Sequence, residues 1–140
     1  MVQIALYDPV MTSNGLIGMV CEIAPNYSKV ATVLSDEINV GVMTFDSKVT
    51  GILDNDIKNA NDGNCLMSYI TKDSGIKEGE IVKSVAGVVF PGNLLIGVVT
   101  KVYDDENGLS VHAVIKPAVD VRTVTDCVVI TDFKGQGVVD

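Results

Sequence analysis

LIGMVCEI at residues 16–23 and LIGVVTKV at residues 95–102 are the most informative segments of the chain. Each is followed by a turn and a second β-branched run, so each predicts the first strand of a hairpin. Together they form an internal repeat, which predicts two related β modules. Because side chains alternate along a strand, one face of each is predicted to line a core: Ile17, Met19, Cys21 and Ile23 in the first copy, and Ile96, Val98, Thr100 and Val102 in the second.

The rest of the chain predicts an all-β fold of two small barrel-like modules, the first of them incomplete. Helical periodicity is hard to find, whereas β-branched runs separated by Gly, Asn and Asp recur along most of the length. The predicted modules span residues 1–50 and 51–133, and residues 134–140 are predicted to form a flexible tail. Strands are predicted over residues 2–6, 16–23, 29–34, 40–45, 49–53, 65–70, 81–85, 94–103, 109–116 and 127–131.

The overall composition is that of an acidic globular domain. Hydrophobic residues make up 47% of the 140 residues, which is enough for a core. The formal net charge of −8 repels phosphate groups, which argues against nucleic acid and bare anionic membrane surfaces as partners. Cys21, Cys65 and Cys127 are odd in number and far apart, so neither a disulfide framework nor a zinc site is predicted, and no cofactor is expected.

The order of several short motifs resembles that of MreC, the bacterial rod-shape-determining protein family, over nearly the whole chain. The first group is GLIGMV at 15–20, APNYSKV at 24–30 and DEINVGV at 36–42. The second is GIL at 51–53, IKEGEIV at 76–82, FP at 90–91, IGVV at 96–99 and KPAVD at 116–120. The matching positions are expected to be structural: Gly15, Gly18, Pro25, Asn26, Ser28, Val30, Asp36, Gly41, Gly79, Phe90, Pro91, Gly97, Pro117 and Asp120.

The resemblance implies a two-barrel extracytoplasmic domain that follows a transmembrane helix and a coiled coil in the full-length protein. It also implies that the opening strands of the first barrel lie outside this sequence, because the chain starts only just before the motif at 15–20. The family usually shows a Thr-Ser-Gly turn where this chain has KSVAG at 83–87, so the geometry of that loop stays open.

The function implied by the resemblance is that of a non-enzymatic scaffold of the bacterial rod complex, which organises peptidoglycan synthesis enzymes through protein–protein contacts. The implied partners are MreD, RodA, class B penicillin-binding transpeptidases and, indirectly, MreB, together with self-association into a homo-oligomer such as a dimer. The implied location is the extracytoplasmic face of the bacterial cytoplasmic membrane, with an anchor in the full-length protein but not in this fragment.

Partner binding is predicted for the segment around Pro91, where Val88, Val89, Phe90 and Leu94 crowd together. An exposed apolar patch is a common way for a β domain to recruit a partner. The alternative is that this segment is simply core, since apolar residues are mostly inside.

Two other functions compete with the scaffold. The first is a chymotrypsin-like double-barrel serine hydrolase using His112, the only histidine. The alternation of residues 109–116 predicts that His112 points away from the core, and no Gly-rich nucleophile turn lies near Ser84 or another serine. The second is a small-ligand or glycan-binding barrel, but with no Trp and 5% aromatic residues the chain has few surfaces for stacking sugar rings.

Overall fold

The computed structural model describes residues 3–87, 89–133 and 136, and over these residues the predicted all-β class is confirmed. The strands are β1 (Pro9–Thr12), β2 (Gly15–Ala24), β3 (Tyr27–Thr32), β4 (Val40–Thr44), β5 (Thr50–Leu53), β6 (Cys65–Thr71), β7 (Ile81–Ser84), β8 (Leu95–Asp104), β9 (Ser110–Pro117) and β10 (Val128–Val129). A single short helix, α1 (Ile57–Asn61), lies between β5 and β6 in the described part of the chain.

Six of these strands close into a barrel in the order β4-β5-β6-β9-β8-β7, with β7 pairing back onto β4. Every neighbouring pair in the barrel is antiparallel. Closure pairs each strand on both sides, so the barrel presents side chains rather than a free backbone edge.

The other four strands form an antiparallel sheet in the order β10-β1-β2-β3. The sheets therefore divide the chain differently from the predicted boundary at residue 50. Strand β4 lies in the barrel because it pairs with β5 and β7, and β10 returns to the first sheet because it pairs with β1. Whether the two parts behave as separate domains stays a prediction.

One hydrophobic core serves both sheets. Leu16, Ala31 and Val33, from β2, β3 and the segment after β3, are buried in the same cluster as the interior of the barrel. The barrel contributes the buried side chains of Val42, Leu53, Cys65, Met67, Ile70, Val82, Ile96, Val99, Ala113 and Ile115. A smaller cluster on the four-stranded sheet joins Val10, Ile17, Val20 and Val119. The sheets are thus packed together through buried side chains.

The strand prediction at residues 2–6 is wrong for the described residues 3–6, and the first strand is Pro9–Thr12. Its four residues form a short hairpin with β2, and Val10 and Met11 also pair with the distant strand β10, a contact that a short sequence window does not reveal. Val2, and all of the predicted tail at 134–140 except Gln136, lie outside the described residues.

The two repeated strands share the same local irregularities. The register of β2 shifts opposite Val10/Met11 and again at Val20/Glu22, and that of β8 shifts opposite Val82/Lys83 and again at Val99/Lys101. Such bulges insert an extra residue and reverse the alternation of side chains.

The predicted core faces are therefore only partly right: Ile17 and Ile96 are buried, whereas Ile23, Val98 and Thr100 are exposed. The likeness of the two strands is local, because one belongs to an open sheet and the other to a closed barrel. The repeat of whole modules stays a prediction.

Candidate partner-binding surface

An exposed apolar row crosses the outside of the barrel on β4, β7 and β8. The Phe45 backbone N–H, just after β4, donates to the Ile81 carbonyl oxygen at 2.8 Å, and Ile81 pairs with Val98. Residues directly opposite each other in antiparallel strands project to the same side. The three side chains are 52%, 44% and 39% exposed, in that order. They form a continuous apolar strip that the core does not use.

Neighbouring rows extend this strip. Met43 pairs with Lys83, and Lys83 pairs with Leu95. In the next row Gly41 pairs with Ile52 and accepts a hydrogen bond from the Val85 backbone N–H at 2.8 Å. We call the resulting surface the Phe45 face; its apolar members are Met43, Phe45, Ile52, Ile81, Val85, Leu95 and Val98.

Lysines surround the apolar residues of the Phe45 face. The Lys48 and Lys83 ammonium groups lie 4.9 and 5.0 Å from the centroid of the Phe45 ring, within range of a cation–π interaction. A third, Lys116, is exposed and pairs with Val98. None of the residues in these paired rows is Asp or Glu, although the whole chain carries a net charge of −8. The paired rows are therefore apolar and positive, and two carboxylates lie just outside them, the exposed Asp46 after Phe45 and the buried Glu80 before Ile81.

A buried carboxylate holds the turn that carries Phe45 and Lys48. The Glu80 side chain accepts hydrogen bonds from the Ser47 backbone N–H at 2.8 Å, from Ser47 Oγ at 2.9 Å and from the Lys77 backbone N–H at 2.8 Å. Desolvation raises the pKa of Glu80, but the hydrogen bonds from Lys77 and Ser47 outweigh it and leave the pKa below its usual value. Glu80 is thus a positioning residue for this face.

Acid is expected to lower the free energy of unfolding of the wild-type protein partly by protonating Glu80. Because the folded-state pKa is lowered, the carboxylate stabilises the fold above its unfolded pKa of about 4.3, and this contribution is lost as the pH falls through the folded pKa. Glu80→Gln is expected to lower the free energy of unfolding by about 1 to 3 kcal/mol near neutral pH. Urea titrations at roughly pH 6 and pH 3 should show a smaller acid effect for the variant than for wild type. An equal acid effect in both would contradict this.

The segment predicted to bind partners is held against the core. Phe90 is only 6% exposed, and Val89 and Leu94 are partly buried against the main cluster. Ser84 Oγ donates to the Pro91 carbonyl oxygen at 2.7 Å and accepts from the Leu94 N–H at 2.9 Å, which fixes this loop. Burial therefore favours the core role for Phe90.

Partner binding by Val89 and Leu94 stays a prediction, and Val88 lies outside the described residues. The Phe45 face, which starts beside this loop, was not predicted from the sequence. Its signal was present: the strand predicted at 40–45 has large apolar residues in both sets of alternate positions, Val40 and Val42 in one and Met43 and Phe45 in the other, whereas one buried face needs only one set.

The side chains around His112 do not have the order of a catalytic triad. His112 Nδ1 lies 2.7 Å from Asp105 Oδ1, and the Tyr103 ring stacks on the imidazole with centroids 5.3 Å apart. Ser110 Oγ donates to the other Asp105 oxygen, so the carboxylate lies between the hydroxyl and the imidazole. In a triad the imidazole must lie between them and accept the serine proton. The hydrogen bonds from Ser110 and His112 hold the pKa of Asp105 below its usual value. These contacts link the two strands of the β8–β9 hairpin and its turn. Ser110 Oγ gives its hydrogen bond to Asp105 and not to His112, so the imidazole is not placed to activate the serine.

The cysteines show no metal-binding arrangement in the residues that the structure describes. Burial raises the pKa of the Cys65 thiol to about 12, and its Sγ donates to the Val33 carbonyl oxygen at 3.2 Å. Cys21 and Cys127 are free thiols. No group of three or more His, Cys, Asp or Glu side chains that could hold a metal occurs within residues 3–87, 89–133 and 136.

The predicted motif residues are spread over both sheets, and the structure does not bring them into one site. Six lie on the β2–β3 hairpin and one in the link to β4: Gly15, Gly18, Pro25, Asn26, Ser28, Val30 and Asp36. The others lie on or beside barrel strands: Gly41, Gly79, Phe90, Pro91, Gly97, Pro117 and Asp120. Their role as structural motif residues stays a prediction.

Comparison with known proteins gives one family. A sequence profile described as "Rod shape-determining protein MreC, barrel core" matches residues 2–131. A search among curated proteins found no match. In the described part of the chain, no helix has the length and apolar character that crossing a bilayer requires.

Solved structures share the fold. One described as "MreC Lysteria monocytogenes" has a TM-score of 0.84 at 24% identity, covering 98% of this chain and 66% of that one. The complex between penicillin-binding protein (PBP2) and MreC from Helicobacter pylori matches with a TM-score of 0.66 at 17% identity, covering 83% and 71% of the two chains. A structure of the major periplasmic domain of the cell shape-determining filament MreC matches with a TM-score of 0.66 at 19% identity, with the same coverage.

Proposed function

The chain belongs to the MreC family of rod shape-determining proteins, and on this premise we propose that it is a non-enzymatic scaffold that organises peptidoglycan synthesis enzymes. The observation that carries the proposal is the Phe45 face, an exposed apolar surface on a rigid closed barrel. Surfaces of this kind mark protein–protein contact sites. The alternative of a serine hydrolase is not favoured, because Ser110 is bonded to Asp105 rather than to His112.

The partners proposed are class B penicillin-binding transpeptidases, MreD, RodA and, indirectly, MreB, together with self-association of the chain. Support for a penicillin-binding protein comes from the Helicobacter pylori complex, in which a relative of the same fold is bound to one. The proposed location is the extracytoplasmic side of the cytoplasmic membrane, supported by the periplasmic origin of another relative of the same fold.

The proposal is tested by depleting the protein in the organism that encodes it. Because a scaffold of wall synthesis directs where new wall is inserted, we expect the cells to lose rod shape and to incorporate a fluorescent D-amino acid in a disordered pattern. Re-expression of the wild-type gene should restore both. Cells that remain rods after complete depletion would contradict the proposal.

A double variant, Ser110→Ala with His112→Ala, separates the scaffold from the hydrolase. Both side chains are only partly buried, so the protein should still fold and accumulate. A scaffold keeps its function without them, and we expect the variant to restore rod shape as wild type does. If it accumulates normally but fails to restore rod shape, the hydrolase is favoured instead.

A further inference from the structure

We propose that the Phe45 face docks an acidic segment of a partner protein that carries an apolar anchor side chain, a proposal that rests on the scaffold function above. The surface supplies both complements of such a segment, an apolar strip and lysines beside it. Three features of the face define the occupant: an open recess beside Gly41, the local positive charge and the complete pairing of the strands.

The anchor position is beside Gly41. Ile52 and Val85 flank this glycine on the outer face, and it has no side chain of its own. A β-carbon placed on Gly41 would meet nothing nearer than Val85 Cβ at 3.9 Å, so the space above it is open. The result is a shallow recess with apolar walls. Met43 lies between this recess and the Phe45 ring along the strand. An apolar side chain of the partner fits this recess.

The charge of the occupant follows from the lysines. Lys48 and Lys83 converge on the Phe45 ring, and Lys116 borders Val98, with no carboxylate in the paired rows. Elsewhere the chain is acidic enough to give a net charge of −8. An acidic segment is therefore attracted to these lysines, while the net charge of the whole chain disfavours its binding elsewhere.

The mode of contact is through side chains. The barrel is closed, so the Phe45 face lies on fully paired strands and offers no edge for strand addition. A second copy bound through the same face would bring lysine rows against lysine rows, because a two-fold contact uses the same patch on both subunits. The occupant is therefore a different protein rather than a second copy of this chain.

The test measures binding of the chain to the extracytoplasmic domain of the class B penicillin-binding protein from the same organism, by calorimetry. Two variants address the face: Phe45→Ser, which removes the exposed ring, and Lys48→Glu with Lys83→Glu, which reverses the charge. Each is expected to weaken binding about tenfold or more, since aromatic and charged residues at an interface centre dominate its affinity. Wild-type binding should also weaken between roughly 50 and 300 mM salt, and the charge-reversed variant should lose this dependence.

The matched control is Leu109→Ser with Lys72→Glu, which removes an exposed apolar side chain and reverses a lysine on another part of the barrel. It should bind within about twofold of wild type, and the thermal midpoints of all variants should stay near that of wild type. If the face variants bind like wild type, this proposal fails while the scaffold function stands. If wild type does not bind, the proposed partner fails and the docking surface with it. If the face variants instead convert a dimer of the isolated chain to a monomer, the occupant is a second copy and the proposal is wrong.

Discussion

Gly97→Ala is expected to lower the free energy of unfolding by about 3 kcal/mol or more, because the added methyl group has no room. A β-carbon on Gly97 would overlap the carbonyl oxygen of Lys116 and lie 2.8 Å from its carbonyl carbon and 3.0 Å from Pro117 Cα. These are backbone atoms of the partner strand β9, so they cannot turn aside as a flexible side chain could. Urea denaturation followed by circular dichroism measures the loss.

The matched control is Gly41→Ala on β4, where a β-carbon meets open space. Removing a strand glycine without a clash is expected to leave stability unchanged or raise it by about 0.4 to 1 kcal/mol. Gly18→Ala should behave like Gly97→Ala, because its β-carbon would overlap the Ala31 carbonyl oxygen. If Gly97→Ala and Gly41→Ala unfold at the same urea concentration, β9 moves away at little cost and the prediction is wrong.

Asn55→Ala is expected to cost about 3 kcal/mol, because the side chain satisfies several backbone groups at a buried junction. Asn55 Nδ2 donates to the Val33 and Ser35 carbonyl oxygens, and its Oδ1 accepts from the Leu66 N–H at 2.9 Å. The asparagine thus ties the segment between the two sheets to β6. Truncation leaves the Leu66 N–H and the Ser35 carbonyl without these partners. The measurement is again the free energy of unfolding in urea.

Asn39→Ala is the control for Asn55→Ala. Asn39 is exposed and makes one hydrogen bond, from Nδ2 to the Leu53 carbonyl oxygen at 3.2 Å. Water can replace that bond, so the cost should stay within about 0.5 kcal/mol. Similar losses for the two variants would show that burial of the Asn55 amide does not carry the effect.

Much of the strand pattern could be predicted from the sequence because most strands are long enough to show alternation and end in clear turns. Strand β1 could not, since it has only four residues and one of its two partners, β10, is distant in sequence. The helix α1 was missed for a related reason. It has five residues, fewer than two turns, and is marked only by the Asp56 cap that accepts from the Asn59 N–H.

The sequence predicted a partner-binding surface around Pro91 and did not reveal the Phe45 face, for a physical reason. The residues around Pro91 are strongly apolar, and apolarity alone does not separate a core loop from a docking patch. In the structure Ser84 holds this loop through two hydrogen bonds and Phe90 is buried, whereas the Phe45 ring is exposed to solvent. The bulges of β2 and β8 had a similar effect, because they change which side chains point inward while the composition stays the same.

The shared core has a mechanical consequence for a scaffold. Leu16, Ala31 and Val33 pack into the same interior as the barrel, so bending one sheet against the other would open that interior to water. The shared core therefore resists bending of the four-stranded sheet against the barrel. A protein bound to the four-stranded sheet is therefore expected to keep a nearly constant distance and angle from a protein bound to the barrel.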